Sequence, residues 1–533
     1  MRSDIETNIA IVGAGPVGAA VAWRLAEAGL KPLLIEKGVS FDPAMLDRDS
    51  PDWELRRDRQ WSSNPNIRLG ATDDPIDDRE TPIKPMFGYG TGGTSHFWSA
   101  HIPRFRPEDF RVATLDGVAR DWPIDWHDLA PFYELAEERW GTAYHPGDPS
   151  GAPKHGKPKP LPTIGAHGRR FAKVFDEMGW HWWPVDLVVG RDAYMYGTEH
   201  CKHVGPCDLG CPSRIRSTSN HAFLKEAVRI GTQLLTETRV LRIETGSQGR
   251  ATALVCRSGD DEFRIRAQQF ILAANGSATP RLLQLSTSSN TPEGLANSSG
   301  LVGKGLMLHP YAKVDALFDE PLGGWVSGEK AGLISLEFLQ TKPERGFVRG
   351  VKLQLGTGPA PVALAEGAGP GSRLPWGAAH HQAFEARFDR ICGFTVCSED
   401  LPENENCITL SDTLRDRDGL PAAKWIYRVG ENSRRALDFG LDRATELLKA
   451  AGGRKIFRNL LRDQAGFHIM GTARMGHNPS TSVVDSYGRC HDVENLFIVD
   501  ASVFVTSSVI NPTLTAQAFA LRAADKILAR RQI

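Results

Sequence analysis

The sequence predicts an α/β fold built on a parallel sheet, joined to a second, mainly antiparallel β domain. Three observations carry this. Residues 9–38 pass from strand through a glycine turn to helix and a second strand; residues 263–285 again give strand, small-residue turn and helix; and residues 311–429 are rich in strand-like alternation and turns. At 533 residues the chain is too long for one core, and its 41% hydrophobic content supplies the interior of two or more domains.

The first stretch, IAIVGAGPVGAAVAWRLAEAGLKPLLIEKG, organises the rest. Residues 9–12 are a short apolar run suited to a buried parallel strand, and residues 19–28 are an alanine-rich helix with Leu25 on its packing side. Gly13 makes the tight turn, Gly15 lets the backbone approach a pyrophosphate, and Gly18 lets helix and strand pack closely. Phosphates then sit at a helix N-terminus, where unpaired N–H groups and the helix dipole favour negative charge. Glu36 falls where an acid takes the ribose hydroxyls of a dinucleotide and disfavours a 2′-phosphate. The unit is Rossmann-like, and its ligand is FAD or NAD rather than NADP.

Composition narrows the function further. A formal charge of -1 offers no polybasic surface, which argues against nucleic acid or anionic membrane as main partner. No run of eighteen apolar residues is present, so no transmembrane helix is expected. The N-terminal MRSDIETNIAIVG enters the first strand at once, leaving no room for a signal peptide, and a cytoplasmic protein is expected. Of eight cysteines, Cys256, Cys392, Cys397, Cys407 and Cys490 read as buried thiols, whereas Cys201, Cys207 and Cys211 form a separate group.

Along the chain, residues 39–85 lose periodicity and read as irregular covering structure without a motif. GYGTGGTSHFWSA at 88–100 gathers glycines, hydroxyl residues and aromatics, suiting close backbone approach to a flat ring. An amphipathic helix is expected from near Trp126, with Leu129, Phe132, Tyr133 and Ala136 on one face. Helix then strand is expected over 221–244, and a long helix from Glu431 to Ala451, ended by Gly452 and Gly453. The C-terminal part carries GFHIMGTARMG, NLFIVDASVF and INPTLTAQAFALRAADKIL.

With GTGGTSHFW, FILAANGSATPRLL, LANSSGLVGKGLMLHP, FHIMGTARMG and INPTLTAQA beside the N-terminal unit, the chain resembles the glucose-methanol-choline (GMC) oxidoreductases over its whole length. The resemblance implies FAD as cofactor and this division: a first part of the FAD-binding domain at 1–110, a cap or substrate-side segment with the cysteine loop at 111–215, a second FAD-binding part at 216–310, a substrate-binding domain at 311–454, and a C-terminal FAD-binding part at 455–533. It implies FAD contacts from Gly13, Gly15, Pro16, Gly18, Glu36 and Lys37, from Gly92, Gly93, Thr94, Ser95, Trp98 and Ser99, and from Val240, Asp500, Ala501, Pro512 and Thr513. Asp500 is expected to act through its backbone N–H. Phe97 stands where some sugar oxidases of the family attach flavin covalently through histidine, with His96 one residue earlier, so noncovalent FAD is expected.

Within the family the chain looks most like catalytic subunits of bacterial sugar dehydrogenases acting on glucose, gluconate, fructose or glucosides, on the LAANG turn ending at Gly276 and the segment CKHVGPCDLGCP. In the glucose dehydrogenase type such cysteines hold a three-iron, four-sulfur cluster; for Cys201, Cys207 and Cys211 a zinc knuckle or inert thiols stay open as alternatives. Relatives of that type pass electrons to a cytochrome subunit, whereas oxidases use O₂. Export with a small partner subunit would place the protein in the periplasm instead of the cytoplasm.

Oxidising C–OH to C=O requires a base for the hydroxyl proton and an acceptor for the hydride, here flavin N5. His468 matches the family's catalytic histidine, and a neutral imidazole can work near neutral pH. Asn511 matches the partner position, where its amide would hold the substrate oxygen. His309 reads as structural, and His380 and His381 as loop residues. The expected function is FAD-dependent oxidation of a sugar or glycoside hydroxyl. A non-sugar alcohol as substrate and a non-redox FAD-binding lyase are the alternatives, and an NAD-dependent dehydrogenase is disfavoured because no second nucleotide fold is visible.

Overall fold

The computed structural model describes residues 2–41, 52–57, 60–68, 74–159, 161, 164–188, 216–324, 332–367 and 373–530. Cys201, Cys207 and Cys211 lie outside the described residues.

A seven-stranded sheet carries the N-terminal motif. Its strands run in the order Gln233–Leu235, Leu33–Ile35, Ile5–Val12, Asp261–Leu272, Ala251–Ser258 and Arg239–Thr245, with Leu496–Ile498 also paired to Asp261–Leu272. The 12-residue strand Asp261–Leu272 is the pivot. Its first half pairs antiparallel with Ala251–Ser258, and its last three residues pair parallel with Leu496–Ile498. Burial follows the pairing: side chains alternate in and out along the first half, whereas Phe270, Ile271 and Leu272 are buried without interruption, as parallel strands covered on both faces require.

Helices Pro16–Glu27, Trp126–Trp140 and Thr513–Ala529 pack together beside this sheet. The last is buried along most of its length, which explains its run of alanine and leucine. Polar pins fix it: Arg24 Nε donates to Asp525 Oδ1 at 2.6 Å, Trp140 Nε1 donates to Gln517 Oε1 at 2.6 Å, and the Tyr133 and Thr515 hydroxyls lie 2.8 Å apart. Trp126–Trp140 starts where its sequence says it should, because Asp125 and Asp128 form a reciprocal capping box.

A six-stranded antiparallel sheet forms the second unit, in the order Lys455–Asn459, Tyr311–Leu317, Ile391–Ser398, Val351–Leu355, Leu333–Phe338 and Trp183–Pro184. Alternation divides its central residues between two buried faces. Ala312, Val314, Val351, Leu353, Phe394 and Val396 join a core with Leu437, Leu441 and Leu448 of the helix Glu431–Ala450. The opposite face carries two cross-strand rows, Tyr311–Cys397–Lys352 and Lys313–Thr395–Gln354.

Four expectations need correction. Residues 39–85 are not only covering structure: Ile76–Glu80 pairs parallel with Pro421–Ile426 and completes a three-stranded sheet with Cys407–Arg415. The hairpin at 407–426 therefore leaves the antiparallel domain in which its alternation placed it, because a strand more than 300 residues away supplies its partner. Cys407 is only half-buried, while Cys256, Cys392, Cys397 and Cys490 are buried free thiols. His380 and His381 sit on the short helix Ala379–Glu385 rather than in a loop.

Candidate active site

One cavity of about 640 Å³ runs from the N-terminal glycine turn to the C-terminal motifs. At one end it is lined by Gly13, Gly15, Pro16, Glu36 and Lys37; along its length by Gly93, Thr94, Ser95, Trp98, Ser99, Val240, Asp500 and Ala501; and at the other end by His468, Asn511, Pro512 and Thr513. Residues nearly 500 positions apart thus share one wall.

The glycine turn behaves as its spacing predicts. Gly13 holds φ +103°, and a side chain there would meet Ala273 O at 2.5 Å. At Gly18 a Cβ would fall 1.8 Å from Gly13 O, so helix and strand pack backbone to backbone. Gly15 differs: a Cβ there meets nothing within 4 Å, because it points into the cavity. Glu36, 6% exposed, accepts from Ala14 N at 2.9 Å, Gly38 N at 2.8 Å and Gly90 N at 3.1 Å. Its carboxylate therefore ties the first turn to the second glycine segment. Gly93 then abuts Gly15, a Cβ on Gly93 falling 3.1 Å from Gly15 Cα. Gly18 and Gly92 do not line the cavity. They stand one layer behind it, Gly92 donating from its N–H to Ala14 O at 2.8 Å.

Charged residues gather at the Glu36 end. Lys37 pairs with Asp74 and lies 3.5 Å from the Tyr89 ring centroid. Arg239 and Arg281 also approach Asp74, at 3.5 Å and 3.6 Å. These cations, Lys37 foremost, overcome burial and hold the Asp74 carboxyl well below the usual range. Asp74 lies in the stretch read as motif-free; nothing local marks it, since its partners come from three other segments.

Asp500 uses its side chain more than expected. Oδ2 accepts from Thr279 Oγ1 at 2.6 Å and Asn275 N at 3.1 Å, and Oδ1 from Ser502 N at 2.9 Å. It thereby fixes the starts of the helix Asn275–Leu285 and of the turn Ala501–Val503 against each other. Phe97 lines the cavity, while His96 is turned away, its Nε2 2.9 Å from Thr91 O.

At the far end His468 is held from behind. Its Nδ1 lies 2.8 Å from His309 Nδ1, and His309 Nε2 lies 2.8 Å from Ser508 O and 3.2 Å from Ser507 O. Two carbonyls accept at Nε2, so that nitrogen carries the proton. Burial, and then the charge of Lys352, push His309 down to about 3, so it is neutral and its Nδ1 accepts. His468 Nδ1 must therefore donate, which leaves a lone pair on His468 Nε2. Burial and the neighbouring His309, Lys352 and His101 hold His468 itself well below its ordinary value, and therefore neutral. His309, expected to be merely structural, sets the tautomer of the predicted base.

Tyr89, His101, Tyr311 and Lys352 were not legible as site residues. His101 and Tyr311 line the cavity, with the Tyr311 hydroxyl 3.4 Å from His468 Nδ1. The available signal was alternation: in YAKVDAL and VKLQL every second residue is small or apolar, so the remaining positions share the other face.

Comparison with known proteins agrees with this architecture. Residues 189–311 and 402–520 match family models described as GMC oxidoreductase, and residues 11–41 match an NAD(P)-binding Rossmann-like domain. A 2-methyl-1,2-propanediol dehydrogenase of Mycolicibacterium austroafricanum is 34% identical, covering 98% of this chain and 96% of its own. The fructose dehydrogenase large subunit of Gluconobacter japonicus is 28% identical, covering 98% of both. A 6'''-hydroxyparomomycin C oxidase of Streptomyces lividus is 30% identical, covering 98% and 92%. Among solved structures, pyridoxine 4-oxidase from Mesorbium loti superposes with a TM-score of 0.66 at 18% identity, over 98% of this chain and 99% of its own. The chain belongs to the GMC oxidoreductases, and its activity is FAD-dependent oxidation of alcohols or sugars.

The residues present fit FAD. The open space at Gly15, the N-termini of Pro16–Glu27 and Thr513–Ala529 on the cavity wall, and Glu36 beside the first turn are the features such a ligand requires. Among the described residues no helix is long and apolar enough to cross a membrane.

Proposed function

We propose that the protein oxidises a hydroxyl of a sugar or glycoside to a carbonyl, with His468 Nε2 taking the hydroxyl proton and the Asn511 amide holding the substrate oxygen. The cavity joining the Gly15 turn to His468 and Asn511 carries this reading, because a bound dinucleotide and a hydroxyl near this pair would occupy one continuous space. When bound, noncovalent FAD supplies the two-electron acceptor. Gly13, Gly15, Glu36, Gly93, Ser95, Ala501 and Thr513 are the residues that would hold it. His309 keeps His468 in the tautomer that accepts a proton toward the cavity. The positive end of the Thr513–Ala529 helix favours negative charge nearby.

Polar side chains at the wall support a polyhydroxylated substrate: Lys313, Gln354, Thr357, Thr395 and Arg462 offer donors and acceptors to several hydroxyls at once. The diol dehydrogenase relative favours a small non-sugar alcohol as the second reading. Anaerobic mixing of the FAD-loaded protein with glucose, fructose, methyl glucoside and 2-methyl-1,2-propanediol separates them. Bleaching of the visible flavin bands by a sugar or glucoside supports the first reading, bleaching by the diol alone the second, and bleaching by none removes both.

Cys201, Cys207 and Cys211 decide where the electrons go. As thiolate ligands of a three-iron, four-sulfur cluster they would serve a protein acceptor such as a cytochrome, with or without a small subunit. Anaerobically purified protein then shows a broad brown absorbance beneath the flavin bands. Flavin bands alone point to O₂ or a soluble quinone.

A further inference from the structure

A side-chain amide can turn either its oxygen or its nitrogen toward a substrate, and for an oxygen that gains negative charge only the nitrogen helps. Asn511, 9% exposed, has its Oδ1 2.7 Å from the Nζ of Lys352. An ammonium donates and cannot accept, so the amide atom facing Lys352 is the oxygen and Nδ2 is left for the cavity.

Lys352 is itself unusual. It is 1% exposed and is the second residue of the strand Val351–Leu355, whose Val351, Leu353 and Leu355 join the helix-covered core while Lys352 turns to the other face and reaches Asn511. Among the described residues no carboxylate pairs with it; the titratable groups around it are Cys397 opposite, His309 and His468. A buried ammonium without a counter-ion is costly, and burial accordingly lowers the Lys352 pKa from its ordinary value, with Cys397 opposing; the hydrogen-bond partner of the ammonium is the Asn511 amide oxygen.

We propose that Lys352 is a positioning residue that locks Asn511 with Nδ2–H directed at the substrate oxygen, and that its positive charge, relayed through that amide, stabilises the oxygen as it loses its proton. In this step the O–H bond breaks, the proton goes to His468 Nε2, and the electron pair stays on oxygen. The inference rests on the proposed roles of His468 and Asn511.

The test is a double-mutant cycle in the full-length, FAD-loaded enzyme, using the substrate that bleaches the flavin in the screen above. Lys352→Met is expected to slow flavin reduction about tenfold and to leave KM nearly unchanged; Asn511→Ala is expected to slow it about a hundredfold, on the scale of losing one donor to a developing oxyanion. The double variant should be no slower than Asn511→Ala alone, because Lys352 acts through Asn511. Lys352→Gln, which keeps a donor but loses the charge, should fall between wild type and Lys352→Met, and it serves if Lys352→Met does not fold.

Acetate, a carboxylate probe of the same donors, should bind the FAD-loaded protein about tenfold more weakly after Lys352→Met, measured by titration calorimetry. Equal acetate binding in wild type and variant, or binding in neither, overturns the role of the charge. Multiplicative losses in the cycle, or an unchanged rate in Lys352→Met, overturn the positioning. If instead His468→Ala and Asn511→Ala both reduce flavin at the wild-type rate, the underlying reading of the site is what fails.

Discussion

Alanine at Gly15 should weaken FAD binding while leaving the protein at least as stable without it, whereas alanine at Gly18 should destabilise the apoprotein itself. At Gly15 the backbone is extended, with φ -73° and ψ -172°, a conformation any residue adopts, and a Cβ meets no atom within 4 Å. Alanine there narrows the unfolded ensemble and adds about 0.4–1 kcal/mol to the stability of the apoprotein. Its methyl group nevertheless projects into the space where the resemblance places the pyrophosphate. Losing one charge-assisted backbone contact weakens FAD by about 1.5–3 kcal/mol, or roughly ten- to 150-fold.

Gly18 presents the opposite case. A Cβ there lies 1.8 Å from Gly13 O, and Gly13 is itself held by its N–H donating to Ile35 O at 2.7 Å. The turn must open by more than an ångström, at about 1–3 kcal/mol or more. Thermal unfolding of both apoproteins and titration with FAD, followed by quenching of flavin fluorescence, separate the two effects. A Gly15→Ala protein that binds FAD as tightly as wild type would refute the argument, because the phosphates could not then rest against that turn. A Gly15→Ala apoprotein that melts well below wild type would refute the steric half.

Three further outcomes follow from the geometry. His468→Ala should slow flavin reduction about 10²- to 10⁴-fold with FAD content unchanged, and His309→Ala should lower it as well by releasing the tautomer, a loss bounded at about 10⁴-fold; a full rate in either variant contradicts the roles assigned to them. Burial raises Asp400 to about 7 against an ordinary 3.8, so between those values the folded protein keeps a proton that the unfolded chain has released. Its contribution to stability is complete below that window, declines as pH rises through it and levels off above about 7. Asp400→Asn should therefore flatten part of the pH dependence of the urea midpoint between about pH 4 and pH 7, and an unchanged slope would show that Asp400 does not titrate there. Arg104 and Glu137 form a buried two-point pair, at 2.8 Å and 2.5 Å, that anchors the helix Trp126–Trp140. Glu137→Gln turns an N–H₂ toward the guanidinium and should cost about 3–5 kcal/mol in chemical unfolding, while a change below about 1 kcal/mol would mark the pair as no stronger than a surface one.

What the sequence by itself determined is what neighbouring residues impose on one another. The βαβ unit was legible because Gly13, Gly15 and Gly18 have steric requirements that their own turn creates, and the helix at Trp126 because Leu129, Phe132, Tyr133 and Ala136 recur at helical spacing. The long motifs that carry the family resemblance, His468 and Asn511 among them, are equally contiguous in the chain. What only the tertiary structure decided are relations between segments far apart. His309 and His468 are 159 positions apart, as are Lys352 and Asn511, and no local pattern says which residue stands behind an imidazole or an amide. Lys352 reads in the sequence as one polar position on an alternating strand. It becomes a buried cation facing Asn511 because the six-stranded sheet is covered on both faces, by a helix on one side and by the dinucleotide-binding unit on the other. Asp74 likewise acquires its role from Lys37, Arg239 and Arg281, brought to it by the folding of three other segments. Burial and charge are properties of that assembled neighbourhood, and so the polarity of the site, unlike its glycine turns, was settled only when the sheets closed over it.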